Sequence, residues 1–306
     1  MKKTLKTIAL SLGLSVCGVG ILCVNADQGQ SRALAQYFTL DNKPKKEKVA
    51  APKPSAQVQV QHTWEVPAIL TEVSGIAYLG SDRFACVQDE EGKIFVYNTA
   101  ESRIEQEIPF AGPGDYEGIA LAGSTAYVVR SDGHLFEVAH YASGKPQVQE
   151  YATSLTAKNN VEGLGYDAPH HRLLLAIKGA EASGAPYKGI YAFDLKTKKM
   201  DPKPVVKLAL DHPILQEAKA KKLEKVLQPS EVAVHPLTGE IYVTEAVNPK
   251  ILVLDAQGNP QRLYWLDKGT FAQPEGIAFS PSGELFISNE GKSAKANILQ
   301  VHLTHQ

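Results

Sequence analysis

Cysteine is scarce: three in 306 residues, with Cys17 and Cys23 inside the N-terminal apolar stretch. A chain processed behind that stretch keeps Cys86 alone, so an internal disulfide framework is excluded. Net charge is scarce too, at −1, and no basic cluster is interleaved with aromatic residues. That excludes a surface built to track a phosphate backbone or stack bases, and nucleic acid is not an expected partner. G-x-S-x-G, H-E-x-x-H, Walker A and C-x-x-C are absent, so the common hydrolase, zincin, NTPase and redox signatures do not apply. With 43% hydrophobic and 21% charged residues, a sizeable core is available and global disorder is excluded.

The front of the chain reads as a targeting segment. Lys2, Lys3 and Lys6 precede an uncharged run, Ile8 to Val24, followed by a small-residue cleavage pattern at Val24-Asn25-Ala26. Residues 1–26 are therefore expected to be a signal peptide or a retained membrane anchor, with the remainder exported to the periplasm or another extracytoplasmic space. Residues 27–57, rich in Pro, Lys and Ala from Asp41 onward, read as a linker. The folded domain is expected over 58–306.

A five-residue pattern recurs along that domain. It stands as Ser74-Gly75-Ile76-Ala77-Tyr78, Glu117-Gly118-Ile119-Ala120-Leu121, Glu162-Gly163-Leu164-Gly165-Tyr166, Ser230-Glu231-Val232-Ala233-Val234 and Glu275-Gly276-Ile277-Ala278-Phe279. Successive copies lie 43, 45, 68 and 45 residues apart, a period that fits one four-stranded blade per copy. The expected fold is an all-β, five-bladed β-propeller. The last unit is one strand short, and the alternating segment Gln59–Val66 supplies it, closing the ring and removing an open edge. The long interval contains DHPILQEAKAKKLEKVL, read as a short inserted helix with Asp211 as N-cap and Pro213 in its first turn.

In such a ring the first strand of each blade lines the axis, so Ser74, Glu117, Glu162, Ser230 and Glu275 face the channel. A second polar column, Gln88, Arg130, Lys178, Glu245 and Asn289, ends the second strands, with Asp89, Glu90, Asp115 and Glu290 nearby. Converging carboxylates need neutralising. A hard cation such as Ca²⁺, held by Glu117, Glu162, Glu245, Glu275 and Glu290, is one solution. Salt bridges from Arg130 and Lys178 to Glu117, Glu162 and Glu275 are the other. Arg130, Lys178 and Asn289 are the candidate ligand-binding residues.

Signal or anchor, linker and repeated SGIA, EGIA and EGLG strands together resemble the SdiA-regulated (YjiK-like) family of exported bacterial proteins, from Gln61 to the end. The resemblance implies a β-propeller, membrane-associated in some members, with no established activity. The EGIA pattern is also similar to that of calcium-dependent apyrase-type nucleotidases and esterase-like phytase relatives, whose propellers carry axial calcium. That likeness extends to Glu117, Glu162 and Glu275; Ser74 and Ser230 depart from it. Two functions follow as expectations. One is a non-catalytic module binding a small ligand or protein partner around an acidic, calcium-holding channel. The other is a calcium-dependent hydrolase of phosphate esters or nucleotides, with metal polarising a phosphoryl oxygen and a channel carboxylate as base.

Overall fold

Short runs of Val, Ile, Phe and Tyr, broken every five to eight residues by Gly, Asp and Ser turns, make antiparallel strands in the computed structural model, which describes residues 53–55, 57–181, 184–218, 220–291 and 295–304. The expected targeting segment and most of the expected linker lie outside the described residues. Strand β1 (Val58–Glu65) comes first. Blade one is β2 (Val73–Gly80), β3 (Arg83–Gln88), β4 (Lys93–Asn98) and β5 (Arg103–Pro109); blade two is β6 (Tyr116–Ala122), β7 (Thr125–Arg130), β8 (His134–Ala139) and β9 (Gln147–Ala152). Blade three has β10 (Val161–Asp167), β11 (Arg172–Ile177), β12 (Tyr187–Asp194) and a divided outer edge, β13 (Lys199–Met200) and β14 (Val206–Ala209). Blade four is β15 (Pro229–Val234), β16 (Ile241–Glu245), β17 (Lys250–Leu254) and β18 (Pro260–Trp265). Blade five is β19 (Pro274–Phe279), β20 (Leu285–Asn289) and β21 (Asn297–Leu303), completed on its outside by β1.

That last pairing closes the ring as expected: β1 runs antiparallel to β21, from Val58 opposite Leu303 to Glu65 opposite Asn297. The innermost strands touch in the cyclic order β2, β6, β10, β15, β19 and back to β2. The core is divided among five seams between consecutive blades. Val87 and Ile94 of blade one, for example, pack with Ile119, Val128 and Phe136 of blade two. Blades five and one meet through Phe286 and Ile298 against Ile76, Phe84 and Phe95. The outer edge of blade three is divided where Pro202 and Pro204, which have no N–H to donate, interrupt the ladder.

The inserted segment departs from expectation. Instead of an α-helix it forms two single 3₁₀ turns, Pro213–Leu215 and Leu223–Lys225, and the cap is His212, whose Nδ1 accepts from the Ile214 amide at 3.2 Å, rather than Asp211. Leu215 and Leu227 are buried and Ile214 and Val226 half-buried in the seam of blades three and four, so the segment is pinned residue by residue to that seam. A helix of this length has little stability of its own to oppose such anchoring. Among the described residues, no helix is long and apolar enough to cross a membrane.

Candidate functional site

Every innermost strand carries a register shift at the same place. Pairing skips one residue between Val73 and Gly75, Tyr116 and Gly118, Val161 and Gly163, Pro229 and Glu231, and Pro274 and Gly276. The skipped residues are Ser74, Glu117, Glu162, Ser230 and Glu275, the polar column of the repeat. A bulge leaves its extra residue out of the ladder and re-aims the side chain. The repeat therefore encodes five redirected polar side chains around one mouth of the channel.

The serines have a distinct task. Ser74 Oγ donates to the Tyr116 carbonyl at 2.6 Å, and Ser230 Oγ donates to the Pro274 carbonyl at 2.8 Å. Each hydroxyl thus ties its innermost strand to the first residue of the next one. The glycine after the bulge permits the same close approach: a Cβ on Gly163 would lie 2.7 Å from Val232 N, and one on Gly118 would lie 2.8 Å from Leu164 Cβ. Blade four has Glu231 there instead. Its side chain reaches back to blade three, where Oε1 accepts from the Leu164 amide at 2.5 Å, and it also accepts from its neighbour Val232 at 2.8 Å. The residue is 1% exposed and its Oε2 has no hydrogen-bond partner.

Charge at this mouth does not balance. Glu162, Glu231 and Glu275 are buried and Glu117 half-buried. Glu162 accepts from Lys178 Nζ at 2.9 Å and from Asn160 Nδ2 at 2.5 Å. Burial, then the carboxylates of Glu162, Asp115 and Glu275, push the Glu117 carboxyl up to about 10, against a smaller opposing pull from Lys178. Burial raises Glu162 as well, with Lys178 restraining the rise. Glu231 stands well above the ordinary carboxylate range because it is wholly buried, even though two amides stabilise its anion. For Lys178, burial works against the charge, yet Glu162, Glu275 and Glu117 outweigh it and hold the ammonium firmly protonated. Lys178 thus faces three of these four carboxyls, and the burial of Glu117 and Glu231 keeps protons at the mouth at neutral pH.

An acidic rim continues outward between blades five, one and two. Asp89 is pushed up to about 6 by burial and then by Glu72, Glu290, Asp115 and Glu90. Glu290 accepts from Gln273 Nε2. Asn289 is 1% exposed; its Nδ2 donates to Asn297 Oδ1 at 2.9 Å while its own Oδ1 has no partner.

The other candidate residues have separate surroundings. Arg130 is held on its own blade by two 2.9 Å hydrogen bonds to Asp132, with Glu150 at 3.7 Å, and its guanidinium lies over the Phe136 ring. Glu245 is fully buried in an ion pair with Lys250, and it also accepts from the Gln228 amide at 3.1 Å and from Asn248. Of the two predicted salt-bridging cations, Lys178 is the one placed among the channel glutamates. Among the described residues, no three His, Cys, Asp or Glu side chains form a group that could hold a metal ion. Two residues at this mouth carried little sequence signal. Glu231 stood out only as a break in the glycine column, and Lys188 sat inside an ordinary strand. Lys188 is 2% exposed, and its ammonium donates to the Lys178 carbonyl at 2.6 Å and to the Gly179 carbonyl, fixing the backbone that carries Lys178.

The opposite mouth differs. The second halves of the innermost strands and the turns after them surround a cavity of about 680 Å³ lined by Ile76, Tyr78, Leu121, Tyr166, Phe279 and Leu237, among others. That lining is mainly apolar and aromatic, so the carboxyl chemistry belongs to the first mouth.

No curated protein matches the chain in sequence. Among solved structures, the PQQ-bound aldose sugar dehydrogenase of Streptomyces coelicolor is similar at 14% identity and TM-score 0.50, covering 83% of this chain and 100% of that one. A luciferin-regenerating enzyme matches at 10% identity and TM-score 0.46, over 82% of this chain and 95% of that one. A Bacteroides caccae protein of unknown function matches at 14% identity and TM-score 0.43, over 68% and 65%. At such identities the likeness to the dehydrogenase is one of fold alone. The family model described as SdiA-regulated matches residues 49–293, most of the propeller, and on that match the chain belongs to the SdiA-regulated family.

Proposed function

We propose that the protein is an exported, non-catalytic binding module that takes a small ligand at the acidic mouth of its channel. Export rests on Lys2, Lys3 and Lys6 ahead of the apolar run Ile8 to Val24, which serves as signal or membrane anchor. The observation that carries the binding reading is the shortfall of positive charge: among the described residues, Glu117, Glu162 and Glu231 are raised by burial, while of the two ammoniums at this mouth Lys178 is bridged to Glu162 and Lys188 is held by backbone carbonyls. Such a set costs stability, and proteins keep strongly shifted groups of this kind mainly where they act.

Calcium would supply positive charge to a mouth of this kind, and Glu117, Glu162 and Glu275 are the residues that would hold it. It takes six to eight oxygens. Two of the five bulge residues are serines engaged with backbone carbonyls, and Glu162 is engaged with Lys178. Neutralisation by Lys178 and by protons accounts for the groups present with fewer demands. The phosphoester-hydrolase alternative needs Arg130 and Lys178 on one phosphate; Arg130 is engaged by Asp132 and Glu150 instead.

The test is the thermal midpoint of the purified protein with EDTA, with CaCl₂ and with small organic cations, beside a Glu117→Gln/Glu275→Gln variant. A rise of several degrees that the variant lacks supports the reading through binding linkage. Absence of any shift, together with turnover of p-nitrophenyl phosphate or ATP, would overturn it in favour of catalysis.

A further inference from the structure

The repeat sets a second ring of side chains at the far end of its strands. Its fifth residues are Tyr78, Leu121, Tyr166, Val234 and Phe279, apolar or aromatic in all five copies. Four residues beyond the bulge, each stands about 13 Å along its strand from the acidic mouth. All five line the cavity of about 680 Å³ at the opposite mouth, and all five are only half-buried. Single exposed apolar residues are ordinary on a protein surface. Five at one register around one concavity make a contiguous apolar lining, and such a lining marks a binding site. The turns after the strands extend it into a rim with Ala168, Pro236, Pro281 and Leu237, the last 68% exposed.

Size and charge narrow the occupant. A concavity of this volume is of the scale that encloses a small molecule. Among the described residues that line it, none is Asp, Glu, Lys or Arg. Its two histidines are already engaged. His170 Nδ1 donates to the Asp167 carboxylate at 2.9 Å, which Arg172 Nε also holds at 2.8 Å; His235 Nδ1 accepts from the Leu237 and Thr238 amides at 3.3 and 3.2 Å. A charged ligand would give up its water here and gain no counter-charge. The aromatic walls are fixed by their own neighbours. Tyr78 stacks on Phe286 with centroids 5.3 Å apart and planes 8° from parallel, while Phe279 meets His235 and Tyr242 edge to face at 4.9 and 5.0 Å. Fixed ring faces favour a rigid ring system, which loses little freedom on binding.

We infer that the apolar mouth is a second binding site, which takes a neutral, rigid, largely apolar ring compound against the five side chains that end the repeat. This site is separate from the acidic mouth and uses different residues, so it does not rest on the small-ligand reading given above. Neither the ligand nor the lining carries a formal charge, so binding keeps its strength in high salt, where a site that holds a charged ligand by Coulomb attraction weakens.

The test is fluorescence titration of the whole protein with two dyes that share one ring frame. N-phenyl-1-naphthylamine is neutral and brightens in apolar surroundings; 8-anilinonaphthalene-1-sulfonate adds a sulfonate. The neutral dye is expected to fill one saturable site, and the sulfonate to bind at least about tenfold more weakly. Leu237→Glu and Ala168→Glu place a carboxylate on the rim from blades four and three, and each is expected to weaken the neutral dye by about tenfold. Both positions are exposed, so the fold tolerates the change. If one variant unfolds, the other decides, together with the dye ratio on the unmodified protein. Equal binding of the two dyes overturns the assignment, as does neutral-dye binding that neither substitution weakens. Absence of saturable binding to the folded protein overturns it too. None of these outcomes touches the acidic mouth, which is read by calcium and organic cations instead.

Discussion

Replacing Glu117 by glutamine is expected to stabilise the protein, and by an amount that grows with pH. The Glu117 carboxyl stands at about 10 in the folded state because burial and the neighbouring carboxylates disfavour its charge. In the unfolded chain it ionises near 4.3. Above that pH the unfolded state releases a proton that the folded state keeps, so the folded state binds more protons and stability falls as pH rises. The loss runs at about 1.4 kcal/mol per pH unit, starting near pH 4 and levelling off only near pH 10. At pH 7 the penalty comes to about 4 kcal/mol, which glutamine, shaped like the protonated acid, removes. For a domain of this size that is roughly 8–16 °C in thermal midpoint. Guanidinium unfolding of both proteins at pH 5, 7 and 9 reads the effect: the variant ahead by about 1 kcal/mol at pH 5 and progressively further ahead above it. Parallel pH profiles, or a variant less stable at pH 7, would refute the reasoning, because Glu117 would then be ionised and matched by a positive partner.

Three further outcomes follow from the geometry. Gly163→Ala places a methyl 2.7 Å from Val232 N, against backbone that cannot rotate away, and is expected to cost about 2–3 kcal/mol in denaturant unfolding; Gly112→Ala, which meets nothing within 4 Å, should be neutral or slightly stabilising. Lys250→Met strips the fully buried Glu245 of its partner and is expected to cost about 3–5 kcal/mol, most of it recovered in Lys250→Met/Glu245→Gln, as thermal midpoints will show. Removing the chain through Glu65 deletes β1 and bares the edge of β21, so size-exclusion chromatography should show association where the full chain does not.

The blade count, strand order and ring closure were legible because they rest on local periodicity: alternating apolar residues, turn residues between them, and a repeat that places one polar residue at the same point of each innermost strand. That the polar residue sits on a bulge was not legible, since a bulge is a property of pairing between strands. Glu231 shows the same limit. In the sequence it reads as the copy that broke the glycine column; in the fold it is the most buried carboxyl of the mouth, because its side chain crosses to an amide 67 residues earlier. Lys178 was placed correctly as a partner of the channel glutamates, whereas Arg130 prefers the aspartate two residues on. The inserted segment carried a helical pattern of Ala, Leu, Lys and Glu, but the apolar seam of blades three and four fixed Leu215 and Leu227 separately and left two short turns.

The central claim is that the mouth holds more carboxyls than positive charges and so keeps protons at neutral pH. Carbon-detected NMR of glutamate-labelled protein, with Glu117→Gln and Glu231→Gln for assignment, tests it most directly. The account predicts that the side-chain carboxyl signals of Glu117 and Glu231 remain in the protonated position at pH 7, Glu117 moving only as pH approaches 10. Both signals titrating near pH 4, with the surface glutamates, would contradict it.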